Sequence, residues 1–483
     1  MIDGKRVQLA NSFEDRDPST GAVFAMVARG DTDAVDAAVS AAARALPRWS
    51  KTAPVERSRR LRALSESIQR EAGKLAALES QDTGKPIRQA RTDVSVAARY
   101  FEYYANIAET LYGATIPISE DLFSFTLREP HGVTAHIIPW NYPLQIGART
   151  IAPALAAGNC CVLKPAEQAP LTAIRLGELA EVAGFPNGVL NVVPGMGEEV
   201  GAALAAHPGI DHLSFTGSFE VGRLVSRSAA RSLIPVMLEL GGKSPNVVFA
   251  DANLDSALPV ITNSLIQNAG QTCVAGSRLL VAADVHDAVV EDLAGRFGRL
   301  RIGPGLSDPD LGPLISSTQL EGVTTLVDAG KREAKLVCGG GPPDAADLDG
   351  GYFFAPTLFD NVDPSSTIAQ KEVFGPVLAV IPFRDEAEAI AAANNTEYGL
   401  LAAVWTTNIG RALRMAKEVR AGQIFVNGFG AGGGVELPFG GFKHSGHGRE
   451  KGVEALFAYT QTKTVTVNIP ASLSADTHFD EEA

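Results

Sequence analysis

Between Val133 and Ala229 the chain alternates regularly between short apolar runs and helical patterns. Val133 to Ile138 reads as a strand and Leu144 to Ala156 as a helix. Cys160 to Lys164 and Leu171 to Ala183 repeat the unit, as do Leu190 to Val193 with Glu198 to Ala206, and His212 to Phe215 with Ser218 to Ala229. Strands separated by whole helices cannot be joined by tight hairpins. They predict a parallel sheet with helices on its faces. Such sheets bind ligands at the carboxyl ends of their strands. Trp140, Asn141, Lys164, Glu167, Gly217 and Ser218 all fall there, which predicts a nucleotide site. The Gly-x-Gly-x-x-Gly fingerprint is missing, since Gly195 to Gly201 has one residue too many. Gly217-Ser218, at the start of a helix, is the better seat for a pyrophosphate, because free backbone N–H groups and the helix dipole favour an anion.

The rest of the chain is built around this unit. The segment to about Gly30 has turn chemistry at Asp17 to Gly21. Helical patterns follow at Thr32 to Leu46, with Asp31 or Thr32 as cap, then at Val55 to Ser80 and Pro86 to Thr110. The aromatic cluster Tyr100, Phe101, Tyr103 and Tyr104 reads as packing or an interface. Thr115 to Arg128 reads as an exposed hairpin whose apolar face needs covering. A second alternating region opens at Val247 to Phe249 and reaches Ala403 to Trp405. Thr462 to Ile469 reads as a strand, and Asp480 to Ala483 is an acidic tail. At 483 residues, two or more domains are expected.

The net charge of −13 argues against nucleic acid or an anionic membrane as partner. No apolar run is long enough for a membrane span, and the opening residues lack a signal-peptide core. The four cysteines, Cys160, Cys161, Cys273 and Cys338, form no Cys-x-x-Cys pair and no zinc pattern. A reduced, cytoplasmic setting and no metal are expected.

Chemistry concentrates between Glu239 and Cys273. The stretch opens with Glu239-Leu240-Gly241-Gly242-Lys243-Ser244-Pro245 and closes with Gly270-Gln271-Thr272-Cys273, with a helical pattern over Asp255 to Asn268 between them. A cysteine thiolate attacks carbonyl carbon. A nearby glutamate can activate water against the resulting thioester. These two segments resemble the glutamate and cysteine motifs of the aldehyde dehydrogenase superfamily. Five further matches occur in the family's order: Pro139-Trp140-Asn141-Tyr142-Pro143, Lys164-Pro165-Ala166-Glu167, Phe215-Thr216-Gly217-Ser218, Glu372-Val373-Phe374-Gly375-Pro376 and Pro438-Phe439-Gly440-Gly441. Together they cover nearly the whole chain.

The resemblance implies an α/β fold in three parts. Residues 1–113, 131–241 and 443–459 would form a Rossmann-like parallel-sheet cofactor domain, and 242–442 a second α/β catalytic domain. Residues 114–130 and 460–483 would form a protruding β-hairpin oligomerisation arm and tail, in which the last strand joins the hairpin of a neighbouring subunit. A homodimer or homotetramer is implied, and a small-molecule aldehyde as substrate. The implied reaction is NAD(P)-dependent oxidation of that aldehyde to an acid. Cys273 would form a thiohemiacetal and then a thioester, the Asn141 amide and the Cys273 backbone N–H would hold the oxyanion, and Glu239 would activate water. Asn141 would also suit a helix cap before Pro143. Pro139, Trp140, Gly217, Ser218 and Leu240 would line the NAD site. Lys164 and Glu167 would bind the adenosine ribose, Glu372 the nicotinamide ribose, and Phe374 would flank the nicotinamide. Tyr142, Gln145, Arg149, Thr272, Val274 and Phe439 would line the substrate pocket.

Three departures stand out. Thr150 occupies the position where many members carry a lysine placed in a proton relay, so water or backbone must substitute. Arg149, where several relatives carry a large aromatic, either binds a carboxylate or hydroxyl on the aldehyde or pairs with a nearby acid. The run Ala431 to Gly434 replaces an aromatic wall, implying a wider or more mobile mouth. A CoA-acylating semialdehyde dehydrogenase is the alternative within the superfamily, and Glu239 argues against it. A silent binding protein on the same scaffold is the other, and the triad Asn141, Glu239 and Cys273 argues against that.

Overall fold

The computed structural model describes residues 1–430 and 434–469. Ala431 to Gly433, the core of the glycine-rich run, and the acidic tail lie outside the described residues.

The predicted alternation forms a six-stranded sheet among the described residues. Its order is Gly446–His447, Val236–Glu239, His212–Thr216, Val133–Ile137, Cys160–Lys164 and Leu190–Val192. All neighbours run parallel except the short Gly446–His447 edge. The Val133 strand is buried along its whole length, as is the Cys160 strand, as expected with helices on both faces. The chain runs outward from Val133 on one side, then returns to add His212 on the other. This reversal opens a crevice beyond the carboxyl ends of Val133–Ile137 and His212–Thr216, where such sheets take ligands. Pro143 starts the following helix, Pro143–Ala157, and Gly158, at φ 101°, ends it. Every residue of that helix except Gln145 is buried, because other helices cover the side facing away from the sheet.

A seven-stranded sheet forms the second unit, in the order Lys335–Cys338, Thr357–Asp360, Val377–Phe383, Arg278–Ala282, Pro245–Val248, Leu401–Trp405 and Gln423–Val426. Only the Lys335 edge is antiparallel. Its two faces carry separate apolar cores, one around Val247, Leu280 and Ile381, the other around Val248, Leu279 and Val380. That alternation is the period-two signature of a strand covered on both sides.

Several expectations need correction. The Val55 to Ser80 pattern is two helices, Pro54–Arg70 and Ala72–Thr83. The break falls at Glu71, next to the helix-weakening Gly73, and the Glu71 carboxylate is held by Arg175 at 2.6 Å. The third long helix ends at Ile107. The segment predicted as a helix from Glu198 starts as a wide turn, Gly197–Gly201, before Ala202–Ala206, since glycines at both ends lower the cost of widening it. The final strand, Thr460–Asn468, pairs with the chain's own hairpin in a continuous antiparallel register from Thr460↔Pro130 to Asn468↔Leu122. The nine matched residues carry no bulge, and the strand forms one edge of the three-stranded sheet it makes with the hairpin.

Candidate active site

Glu239 ends its strand and Cys273 sits in the loop before strand Arg278–Ala282, so each unit of the fold contributes one of them. Close backbone approach joins the two loops. A Cβ at Gly242 would lie 2.3 Å from the Cys273 carbonyl oxygen, and one at Gly440 would lie 2.8 Å from Glu239 Oε1. The cysteine loop is itself strained. Asn268, Ala269 and Gly270 are consecutive residues at φ 48°, 55° and 76°. Two of the three carry side chains that disfavour this conformation. Gln271 holds the turn, donating to Asn268 O at 3.0 Å and accepting from Ile315 N at 2.9 Å.

Asn141 joins this loop. Its Nδ2 donates to Gln271 O at 2.9 Å, and its carbonyl accepts from Lys85 Nζ at 2.8 Å and Asn268 Nδ2 at 2.9 Å. It does not cap the following helix. Tyr142 stands at the cap position and no side chain bonds there, because the Asn141 amide is turned toward the cysteine loop.

Burial dominates the electrostatics. The Cys273 thiol is pushed up to about 12 by desolvation, which Arg149 opposes. A thiol in that state needs a base before it can attack. Glu239 is buried, and neither carboxylate oxygen has a hydrogen-bond partner among the described residues. Its proton affinity is raised, first by burial and then by the negative charge of Glu450. Arg149 is accounted for here: its Nε forms a buried ion pair with Glu450 Oε2, and its guanidinium lies 5.0 Å from the Phe439 ring centre. Of the two readings of Arg149, the structure has the acid pair. Thr150 is a buried hub, 2.8 Å from His136 Nδ1, 2.8 Å from Tyr459 OH and 3.0 Å from Ser214 Oγ. Two hydroxyls and an imidazole thus surround the Thr150 hydroxyl.

The other cysteines are poor nucleophiles. Cys160 and Cys161 lie fully buried inside a sheet strand, and burial pushes both thiols up. Cys338 is on the far edge strand of the second sheet.

The nucleotide candidates gather around the crevice. Lys164 Nζ meets Glu167 Oε2 at 3.0 Å. Ser218 caps helix Phe219–Ser232, its side chain accepting from Val221 N. Leu240 is buried against Gly222 of the same helix. Trp140, which follows Pro139, meets Phe374 edge to face at 5.3 Å between ring centres. Phe374 has φ 54°. Glu372 Oε1 accepts from Gly242 N at 3.0 Å, and burial raises its carboxyl to about 7. Among the pocket candidates, the Tyr142 ring centre lies 4.2 Å from Lys85 Nζ, Gln145 is half-buried, Thr272 is buried, and Val274 is half-buried beside Cys273. Tyr100, Phe101 and Tyr104 are core residues, as expected for packing.

The aldehyde dehydrogenase family profile matches residues 6–465. The chain belongs to the aldehyde dehydrogenase family. It is 45% identical over 462 residues to hydroxyisobutyraldehyde dehydrogenase of Mycolicibacterium austroafricanum, covering 95% of this chain and 91% of that one. It is 44% identical over 466 residues to human mitochondrial aldehyde dehydrogenase, covering 95% and 89%. The solved betaine aldehyde dehydrogenase of Staphylococcus aureus, in complex with NAD+, superposes with a TM-score of 0.95 at 38% identity, covering 98% of this chain and 95% of that one. PnpE in complex with nicotinamide adenine dinucleotide superposes at 0.96 with 39% identity and 97% of each chain covered.

In this aldehyde dehydrogenase, sequence reading missed Glu450, Lys451 and Lys85. Lys85 is buried, bonded to Asp93 at 2.6 Å, and supports the Asn141 carbonyl. None of the three falls in one of the seven motifs that carry the family resemblance. The Arg449-Glu450-Lys451 charge run could have raised the question, but such a run is ordinarily a solvated face.

Proposed function

We propose that Cys273 is the nucleophile of a hydrolytic, NAD-dependent aldehyde oxidation, with Glu239 as its general base and Asn141 as oxyanion donor. The observation that carries this reading is a buried carboxylate without a partner, packed against Gly440, in a segment whose Gly242 lies against the Cys273 carbonyl. NAD would be held by Lys164 and Glu167 at one end, by Glu372 at the other, and at the free N–H groups above Ser218. When bound, it supplies the hydride acceptor. The Cys273 sulfur adds to the aldehyde carbon. Asn141 Nδ2 and the Cys273 N–H stabilise the oxygen as it gains charge. Glu239, raised toward neutrality by burial, takes a proton from water when the thioester is cleaved. Wild-type protein should form NADH from an aldehyde at a rate indifferent to coenzyme A. A requirement for coenzyme A would make it an acylating enzyme, and no NADH at all would leave a binding scaffold.

NAD should exceed NADP in kcat/KM. Glu167 would face the adenosine ribose, where its charge repels a 2′-phosphate; Lys164, 3.0 Å from that carboxylate, softens the discrimination. Initial rates with both cofactors test this, and parity or better for NADP rejects it. Arg149 acts by holding Glu450 beside Glu239. Arg149→Leu leaves a buried unpaired carboxylate, which costs about 3 kcal/mol or more of stability. Its activity should fall by one common factor on succinic semialdehyde, salicylaldehyde, benzaldehyde and hexanal. A selective loss on the first two would make Arg149 a substrate ligand.

Assembly as a homodimer or homotetramer is supported by the hairpin sheet, where Ile116, Ile118, Phe123, Leu127, Val467 and Ile469 are exposed. Sedimentation measures it directly.

A further inference from the structure

Lys451 has no role in the reading above, yet its surroundings call for one. Its ammonium lies 4.9 Å from the centre of the Phe439 ring, the same ring that Arg149 approaches from 5.0 Å. It stands close enough to Cys273 and Glu239 for its charge to act on both. Arg149 is neutralised by Glu450, and Glu436 is taken by Arg99 at 2.6 Å. Among the described residues no carboxylate lies within ion-pair distance of Lys451 Nζ. The side chain is half-buried, and burial with repulsion from Arg149 lowers its ammonium to about 8, so it still carries charge near neutral pH.

The backbone makes this harder to dismiss as a surface lysine. Lys451 has φ 60° and ψ 174°. That region is essentially reserved for glycine, and a side chain there is a standing cost. It also precedes the helix Gly452–Ala458, whose dipole disfavours a cation at its amino end. Local conformation does not explain a lysine. Glu450, Glu239 and Cys273 favour its charge from nearby, but Glu450 is paired with Arg149 and none of them forms an ion pair with the ammonium, which is left free to meet an anion from outside.

Resting on the Cys273 chemistry proposed above, we propose that Lys451 binds the distal carboxylate of the substrate, so that the preferred aldehydes are ω-carboxylated. The Phe439 face would hold the methylene chain, and the ammonium would meet the carboxylate in a partly desolvated, charge-assisted bond. The test uses the NAD-saturated enzyme with succinic and glutaric semialdehyde, each against its neutral methyl ester. The ratio of kcat/KM, acid over ester, should favour the acid in the wild type for at least one chain length. In Lys451→Met it should fall about 10- to 100-fold. Lys451→Gly, which suits the backbone, should show the same fall in ratio with a folded state at least as stable. Inhibition by succinate or glutarate should weaken in parallel. A ratio unchanged in both variants, whether both rates fall or neither does, overturns the proposal, as does a wild type indifferent to the carboxylate. NADH from neither aldehyde nor ester in the wild type overturns the underlying reading and this inference with it.

Discussion

Cys273→Ala should leave less than about 1% of wild-type aldehyde oxidation, since removing a covalent nucleophile ordinarily costs several powers of ten. Cys160 and Cys161 cannot stand in, being closed inside a sheet strand. Cys338 sits on a distant edge. Alanine should be accepted at position 273 because the loop is held by other residues: Gln271 clamps the turn and Asn141 fastens to Gln271. Cofactor affinity should therefore change by no more than about threefold, as the groups proposed to hold NAD lie on other loops. Titration of NAD by fluorescence and NADH formation by absorbance separate the two effects. Turnover above about 1% removes Cys273 as sole nucleophile. Loss of NAD affinity alongside turnover would mean that the substitution disturbed the fold instead.

The parallel sheet was legible because its signal is local. Each strand is a short apolar run and each helix a periodic one, so boundaries from Val133 to Ser232 differ from expectation by only a few residues, apart from the wide turn at Gly197. The glycine-bearing loops were legible because the approach of backbone to backbone leaves glycine as the only residue that fits, as at Gly242 and Gly440. What escaped was pairing between distant side chains. Nothing about Arg149 alone distinguishes a substrate ligand from a partner of Glu450, three hundred residues on. Thr150 looked like an absence, a missing lysine, until the fold put His136, Ser214 and Tyr459 around its hydroxyl. The strain at Ala269 and Lys451 was also invisible, since it is imposed by tertiary contacts on residues whose own preferences oppose it.

Glu239→Gln should separate the two halves of the reaction. Glutamine keeps the size of the side chain in its tight seat against Gly440 but cannot take a proton. If Glu239 serves deacylation, the thioester still forms and the first turnover still yields NADH. Steady-state turnover should then fall by about 100-fold or more, the usual range for losing a general base. Rapid mixing should show a burst near one NADH per site followed by a slow phase. The same assignment fixes the pH profile of the wild type. Burial and Glu450 raise the Glu239 carboxyl, so the base form is depleted as pH falls through that raised value. Deacylation should accordingly slow on the acid side, and Glu239→Gln should lose that limb. The burst itself is the sharper measurement. Cys273 is pushed up to about 12, so some group must take its proton before attack, and an unpartnered carboxylate in the same pocket is available for it. A variant with no burst would place Glu239 at that earlier step as well. A variant with both burst and steady state intact would give the water-activating role to another group, and Glu450, already held next to Glu239 by Arg149, would be the next residue to replace.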